Sequence, residues 1–176
     1  MEKIVYSNEF KKIITFFLFE CPVEGVSCRG QTFQDIGWKG SSRFQMLERL
    51  LKECTSIEEN KWICCDKSEV ELKVNNINSF LYIVCNTDKG RVQSIIYAIR
   101  NSFAHGSFEV KQIDGGCYYY LKNKYKGKLR ATIVIEEYAL LEWIRIIKTN
   151  PIFLTKRAKK EEERRKKENE KFDLKK

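Results

Sequence analysis

Gly90-Arg91-Val92-Gln93-Ser94-Ile95-Ile96-Tyr97-Ala98-Ile99-Arg100-Asn101-Ser102-Phe103-Ala104-His105-Gly106 is the stretch on which the reading of this 176-residue chain turns. Val92, Ile95, Ile96, Ile99 and Phe103 recur at the spacing of one helix face, which predicts an amphipathic helix over 90–105 with that stripe in the core. Thr87-Asp88-Lys89 offers a start, and Gly106 stands where helices often stop in a left-handed residue.

The same stretch holds the only histidine of the chain, His105, at the end of the helix. Imidazole is the side chain best suited to moving protons near neutral pH. Arg100 brings a planar guanidinium that matches phosphate oxygens. Asn101 and His105 are four residues apart and so share a helix face, where the amide can orient the imidazole or a phosphate. A lone Arg and His on a helix are otherwise ordinary surface charges, so the surroundings carry the argument.

Before this helix, residues 6–20 read as a first helix (Phe10, Ile13, Ile14, Phe17, Leu18), ended by Pro22 and Gly25. Residues 23–41 are glycine-punctuated and read as an irregular connection. A second helix begins near Ser42, whose Ser-Arg-Phe-Gln fits a capping box, with Phe44, Leu47, Leu50, Leu51 and Cys54 inward. The stretch 55–73 shows no clear period. A third helix is predicted over 76–86 from Ile77, Phe80, Leu81, Val84 and Cys85.

After Gly106 the pattern changes to strands at 108–113, 117–121 and 129–134, broken at Asp114-Gly115-Gly116 and Lys126-Gly127-Lys128. A last helix is predicted over 136–148, followed by Pro151. The fold class expected is mainly α: a helical bundle in which a small hairpin or three-strand insert follows the motif helix. Residues 1–153 form one domain with its core at about 40–148, and 154–176 form a charged basic tail, an exposed helix or a disordered arm.

The formal charge is +9, which favours an acidic partner. The 21 residues from Lys156 carry 11 basic and 6 acidic side chains, so the tail holds +5 of that charge. In the strand region Lys111, Lys122, Lys124, Lys126, Lys128 and Arg130 interleave with Tyr119 and Tyr125, a pattern that neutralises phosphates and stacks bases. These eight are the candidate RNA contacts. The competing reading is a solvated hairpin whose aromatic face packs on the helices.

Seven cysteines, two of them adjacent and none in a Cys-x-x-Cys pair, read as free thiols in a reducing compartment. No metal site and no cofactor are expected. The apolar run 13–19 is far short of the roughly 20 residues that span a bilayer. No leader pattern follows it, so a cytoplasmic protein with no membrane partner is expected.

Arg100-Asn101, three residues and then His105 form a motif similar to that of the HEPN superfamily, and the resemblance covers about residues 40–148. It implies a helical bundle, a face-to-face homodimer and a composite site in which Arg100, Asn101 and His105 are catalytic. The implied activity is metal-independent cleavage of single-stranded or loop RNA by 2′-hydroxyl attack. The implied setting is a toxin–antitoxin or antiviral defence system, with an antitoxin or defence-system protein as partner. The alternative is a non-catalytic module that binds RNA, a nucleotide or a protein. Members regulated by a nucleotidyltransferase partner carry tyrosine two residues past the histidine. Ser107 stands there in this chain.

Overall fold

Five strands form a single sheet in the order β1-β2-β5-β4-β3 in the computed structural model, which describes residues 7–65, 79–85 and 88–154. The strands are β1 (Trp62–Cys65), β2 (Phe80–Val84), β3 (Phe108–Ile113), β4 (Gly116–Tyr125) and β5 (Lys128–Glu136). β1 runs parallel to β2, and every other neighbouring pair is antiparallel. The helices are α1 (Asn8–Thr15), α2 (Ser41–Glu53), α3 (Gly90–Ala104) and α4 (Glu137–Lys148).

This architecture is mixed α/β, and it corrects the expectation of a mainly helical bundle. The sheet is not a small insert. It forms the floor on which the helices lie. Phe80-Leu81-Tyr82-Ile83-Val84, predicted as part of a helix over 76–86, is a strand next to the sheet's centre. Its apolar positions fit a helical spacing, but the run is continuous and rich in β-branched and aromatic residues. Leu81, Tyr82, Ile83 and Val84 are all buried. A strand covered on both faces reads as such a run, with no alternation to reveal it.

Pairing fixes which side chains meet the helices. Leu81 pairs with Ile133, Leu121 with Ile133, and Tyr119 with Ile135, so these share one face. That face packs on Ile95, Ile99 and Phe103 of α3 and on Leu140, Trp143 and Ile147 of α4 in one apolar cluster. The predicted stripe of α3 is buried at all five positions. The core also takes in Ile13, Phe16, Phe17, Phe33 and Trp38, so it extends past the expected lower limit near residue 40. A π-helical turn, Phe16–Glu20, continues α1 and sets the Phe17 ring 5.7 Å from that of Phe103. Trp38, in the irregular connection, is tied down where its indole N–H donates to the carbonyl of Ile147 at 3.0 Å.

Two expectations about ends fared differently. The capping box at Ser42 does not form, because the N-cap lies two residues earlier, at Gly40 (φ 81°), with no side-chain cap. Both strand breaks are two-residue hairpins. Asp114-Gly115 (φ 49° and 81°) joins β3 to β4, and Lys126-Gly127 (φ 48° and 75°) joins β4 to β5. Positive φ at both central residues is the pattern whose twist matches that of the strands it connects.

The basic tail expected from 154 onward lies, from residue 155, outside the described residues. Among the described residues no helix is long and apolar enough to cross a membrane.

Ile133 sits where β2, β4 and β5 meet α3 and is fully buried. Ile133→Ala is expected to lower unfolding free energy by about 2–5 kcal/mol in a urea titration. A loss below ~1 kcal/mol would show that this contact is not central to the core.

Candidate functional site

The far end of α3 is closed by a backbone motif that decides where His105 lies. The N–H of Ser107 donates to the carbonyl of Ser102 at 2.8 Å, and that of Gly106 to Phe103 at 3.1 Å. With Gly106 at φ 62°, this is a Schellman closure. His105 is the C-cap residue, and its own N–H donates to Asn101 at 3.0 Å. The chain then turns directly into β3, so the last turn of the helix is clamped between two rigid elements.

With Ile95, Ile99 and Phe103 facing the sheet, an adjacent flank of α3 carries Tyr97, Asn101 and His105 at successive four-residue steps. All three line one cleft of about 750 Å³, together with Arg100. The opposite wall is the tip of the β4–β5 hairpin, with Asn123, Lys124, Tyr125 and Arg130. Residues 18 positions or more apart in sequence thus meet across one opening.

A bulge aims Arg130. Asn123 pairs with Ala131, but Lys124 pairs with Leu129, so the ladder skips Arg130. Such an extra residue bends the strand and redirects a side chain, and bulges are common beside functional sites. The Arg130 guanidinium lies 5.9 Å from the centre of the Tyr125 ring, and Lys126 Nζ lies 5.5 Å from it. Tyr125 is 58% exposed, so its ring remains open to a further stacking partner.

The Arg100 guanidinium is partly buried and donates through Nη1 to Asn101 Oδ1 at 3.3 Å. Its Nε is buried without a hydrogen-bond partner among the described residues. His105 is exposed, and its imidazole makes no hydrogen bond among the described residues. Among the described lining residues are Arg100, Lys124 and Arg130, and no carboxylate. A concave site with cations and no anion favours a negatively charged ligand.

The other sequence candidates fall outside this cleft. Tyr119 is corrected outright: it is fully buried, its hydroxyl donates to Glu137 at 2.8 Å, and no base can reach it. Burial, aided by that bond, pushes its phenol well above the ordinary range. Lys111 and Lys122 lie on the opposite face of the sheet. Lys111 there pairs with Glu109 at 3.1 Å and stands 4.5 Å over the Tyr120 ring. Lys126 lies in the hairpin turn and Lys128 opens β5 just after it. Tyr97 and Asn123 were missed. Tyr97 was legible, because it lies four residues before Asn101. Asn123 enters only through the register of β4 and β5.

All seven cysteines are free thiols. Cys85 lines the cleft. Burial raises the Cys117 and Cys54 thiols to about 11. Among the described residues no three His, Cys, Asp or Glu side chains are grouped to hold a metal ion. No family model, curated protein or solved structure matches the chain.

Gly106 has open space where a Cβ would go, so its replacement meets only backbone strain at φ +62°. Gly106→Ala is expected to lower stability by about 1 kcal/mol in chemical denaturation. An unchanged midpoint would mean that the left-handed closure beside His105 does not form.

Proposed function

We propose that the chain is a metal-independent endoribonuclease of the Arg-Asn-x-x-x-His kind, acting on single-stranded or loop RNA. The observation that carries this reading is the convergence of Arg100, Asn101 and His105 with Lys124, Tyr125 and Arg130 on one cleft. The motif supplies a proton carrier and a charge clamp. The hairpin supplies a second clamp and an aromatic ring. Cleavage by the RNA's own hydroxyl needs the proton carrier and the charge clamp, and the ring can position a base beside them.

In that reaction a base removes the proton from the 2′-hydroxyl, and the oxygen attacks the adjacent phosphorus. The new O2′–P bond forms as the P–O5′ bond breaks, and an acid protonates the departing 5′ oxygen. The products are a 2′,3′-cyclic phosphate and a 5′-hydroxyl. His105 is the proton carrier. Arg100 and Arg130 stabilise the charge gathered on the phosphorane oxygens, where one well-placed donor is worth roughly 10²–10³ in rate. Asn101 holds the Arg100 guanidinium and orients the phosphate. Tyr125 stacks a base beside the scissile bond.

One chain has one histidine, whereas the reaction uses both a base and an acid. A two-fold homodimer that apposes two copies of the α3 end would supply both. A role in toxin–antitoxin or antiviral defence, with a regulating partner protein, and a cytoplasmic location belong to the same proposal. The motif supports it. The α/β frame differs from the helical bundle that the resemblance implied, so the case rests on the motif and its cleft.

A second reading is a module that binds RNA without cutting it. The specific observation in its favour is the His105 imidazole, which no described neighbour orients. Catalytic imidazoles are commonly held by a hydrogen bond.

The test is incubation with RNA in EDTA. Wild type is expected to cleave and leave cyclic or 3′-phosphate ends, and His105→Ala to abolish cleavage with an unchanged melting temperature. Arg100→Ala is expected to lose roughly 10²–10³ in rate. Cleavage that persists in His105→Ala, or that needs added divalent cation and leaves 5′-phosphates, contradicts the assignment. Length-dependent RNA binding without any cleavage would favour the second reading.

A further inference from the structure

A second basic depression, of about 510 Å³, lies on the sheet face that turns away from α3. It is lined by Lys111, Lys122 and Lys124, with Glu109, Tyr120 and Ser107 among their neighbours. Strand alternation puts these side chains there. Tyr120 pairs with Glu109 and Val134, and Lys122 pairs with Thr132, all one position out of phase with the core-facing Tyr119 and Leu121. The Lys111 ammonium lies over the Tyr120 ring, and the ion pair with Glu109 leaves Lys122 and Lys124 with no carboxylate partner among the described residues.

Lys124 also lines the first cleft. It stands where the strand register shifts, next to the turn of the hairpin, and lines both depressions. The two depressions are therefore neighbours around one edge. Ser107 and Gly106, two residues or fewer from His105, line the second, while His105 lines the first.

We propose that the second depression is an extension of the nucleic-acid path: a single strand seated at the Arg100–Arg130 cleft continues past Lys124 onto Lys122 and Lys111. The proposal rests on the cleft's being an RNA site, but not on its cleaving RNA. The ligand is an extended single strand, for two reasons. Lys124 and Lys122 follow one another along β4 and Lys111 lies on the neighbouring β3, so the cations are spread over two strands rather than converging on one point, which suits successive phosphates better than one. A duplex is too thick and stiff to pass from one sheet face to the other around a two-residue turn. Tyr120 offers a partly exposed ring beside the phosphate path, as ring and cation combine in non-sequence-specific single-strand binding.

The test uses His105→Ala protein, so that nothing is cut, and fluorescence anisotropy with labelled oligoribonucleotides of about four and about twelve residues. The longer strand is expected to bind more tightly. In the His105→Ala background, Lys111→Ala with Lys122→Ala is expected to weaken the longer strand roughly tenfold at about 0.1 M salt and to flatten its log–log salt slope by about 1.4. Binding of the shorter strand is expected to change less than about twofold, since it fills only the first cleft. Equal affinity for both lengths, or a double substitution that leaves the longer strand and its salt slope unaltered, overturns the second surface alone. Failure to bind either strand overturns both this surface and the RNA reading of the cleft. Length-dependent binding lost in the double variant upholds the surface, even if wild type proves not to cleave.

Discussion

The seating of α3 on the sheet is the constraint from which the rest follows. Ile95, Ile99 and Phe103 enter a surface made by Leu121, Ile133 and Ile135, and each is buried. Full burial of a side chain of this size is worth about 1.5–3 kcal/mol. Rotating the helix by even one residue, about 100°, would expose the stripe and bury Arg100 or Asn101 in its place. The apolar stripe therefore fixes the helix's rotation, and the rotation fixes which flank shows Tyr97, Asn101 and His105. The polar face is positioned by the energetics of the apolar one.

The opposite wall of the cleft depends on a different device. β4 and β5 are held in register by core residues up to Asn123 and Ala131, and there the ladder slips by one residue. That slip turns Arg130 toward the helix. The resulting wall sets Lys124 and Arg130 in the same cleft as Arg100 with no carboxylate among the described lining residues, an arrangement that self-repulsion disfavours. An anion in the cleft relieves it, and added salt weakens that relief. Stability and ligand binding are thus coupled at the same few side chains.

Some of this was open to reading in the sequence, and some was not. The stripe of α3, its end at Gly106 and both hairpin turns are local signals: a period, a glycine and paired turn residues. Each appears where expected. The β1–β2 side of the sheet was hidden, because Phe80–Val84 satisfies a helical spacing by accident of being wholly apolar. β1, in the patternless stretch 55–73, is only four residues long. The same limit governs the site. Arg100, Asn101 and His105 stand in one local motif. That Arg130, rather than Lys111, joins them depends on a bulge and on strand pairing, which no local pattern encodes. Tyr119 was misplaced for a related reason. In the run Tyr118-Tyr119-Tyr120 the middle residue faces inward, and its neighbours lean toward Glu136 and Lys111.

The central claim is that the α3 end and the bulged hairpin together form one site for a phosphodiester, with His105 inside it. The chain's single histidine makes this directly measurable. The side-chain imidazole resonances of His105 can be followed by ¹⁵N-edited NMR while a non-cleavable 2′-O-methyl oligonucleotide is added. The account expects a saturable shift of those resonances in wild type, and a much weaker response in Arg130→Ala. An oligonucleotide that binds with no change at His105, or a response indifferent to Arg130, would contradict it.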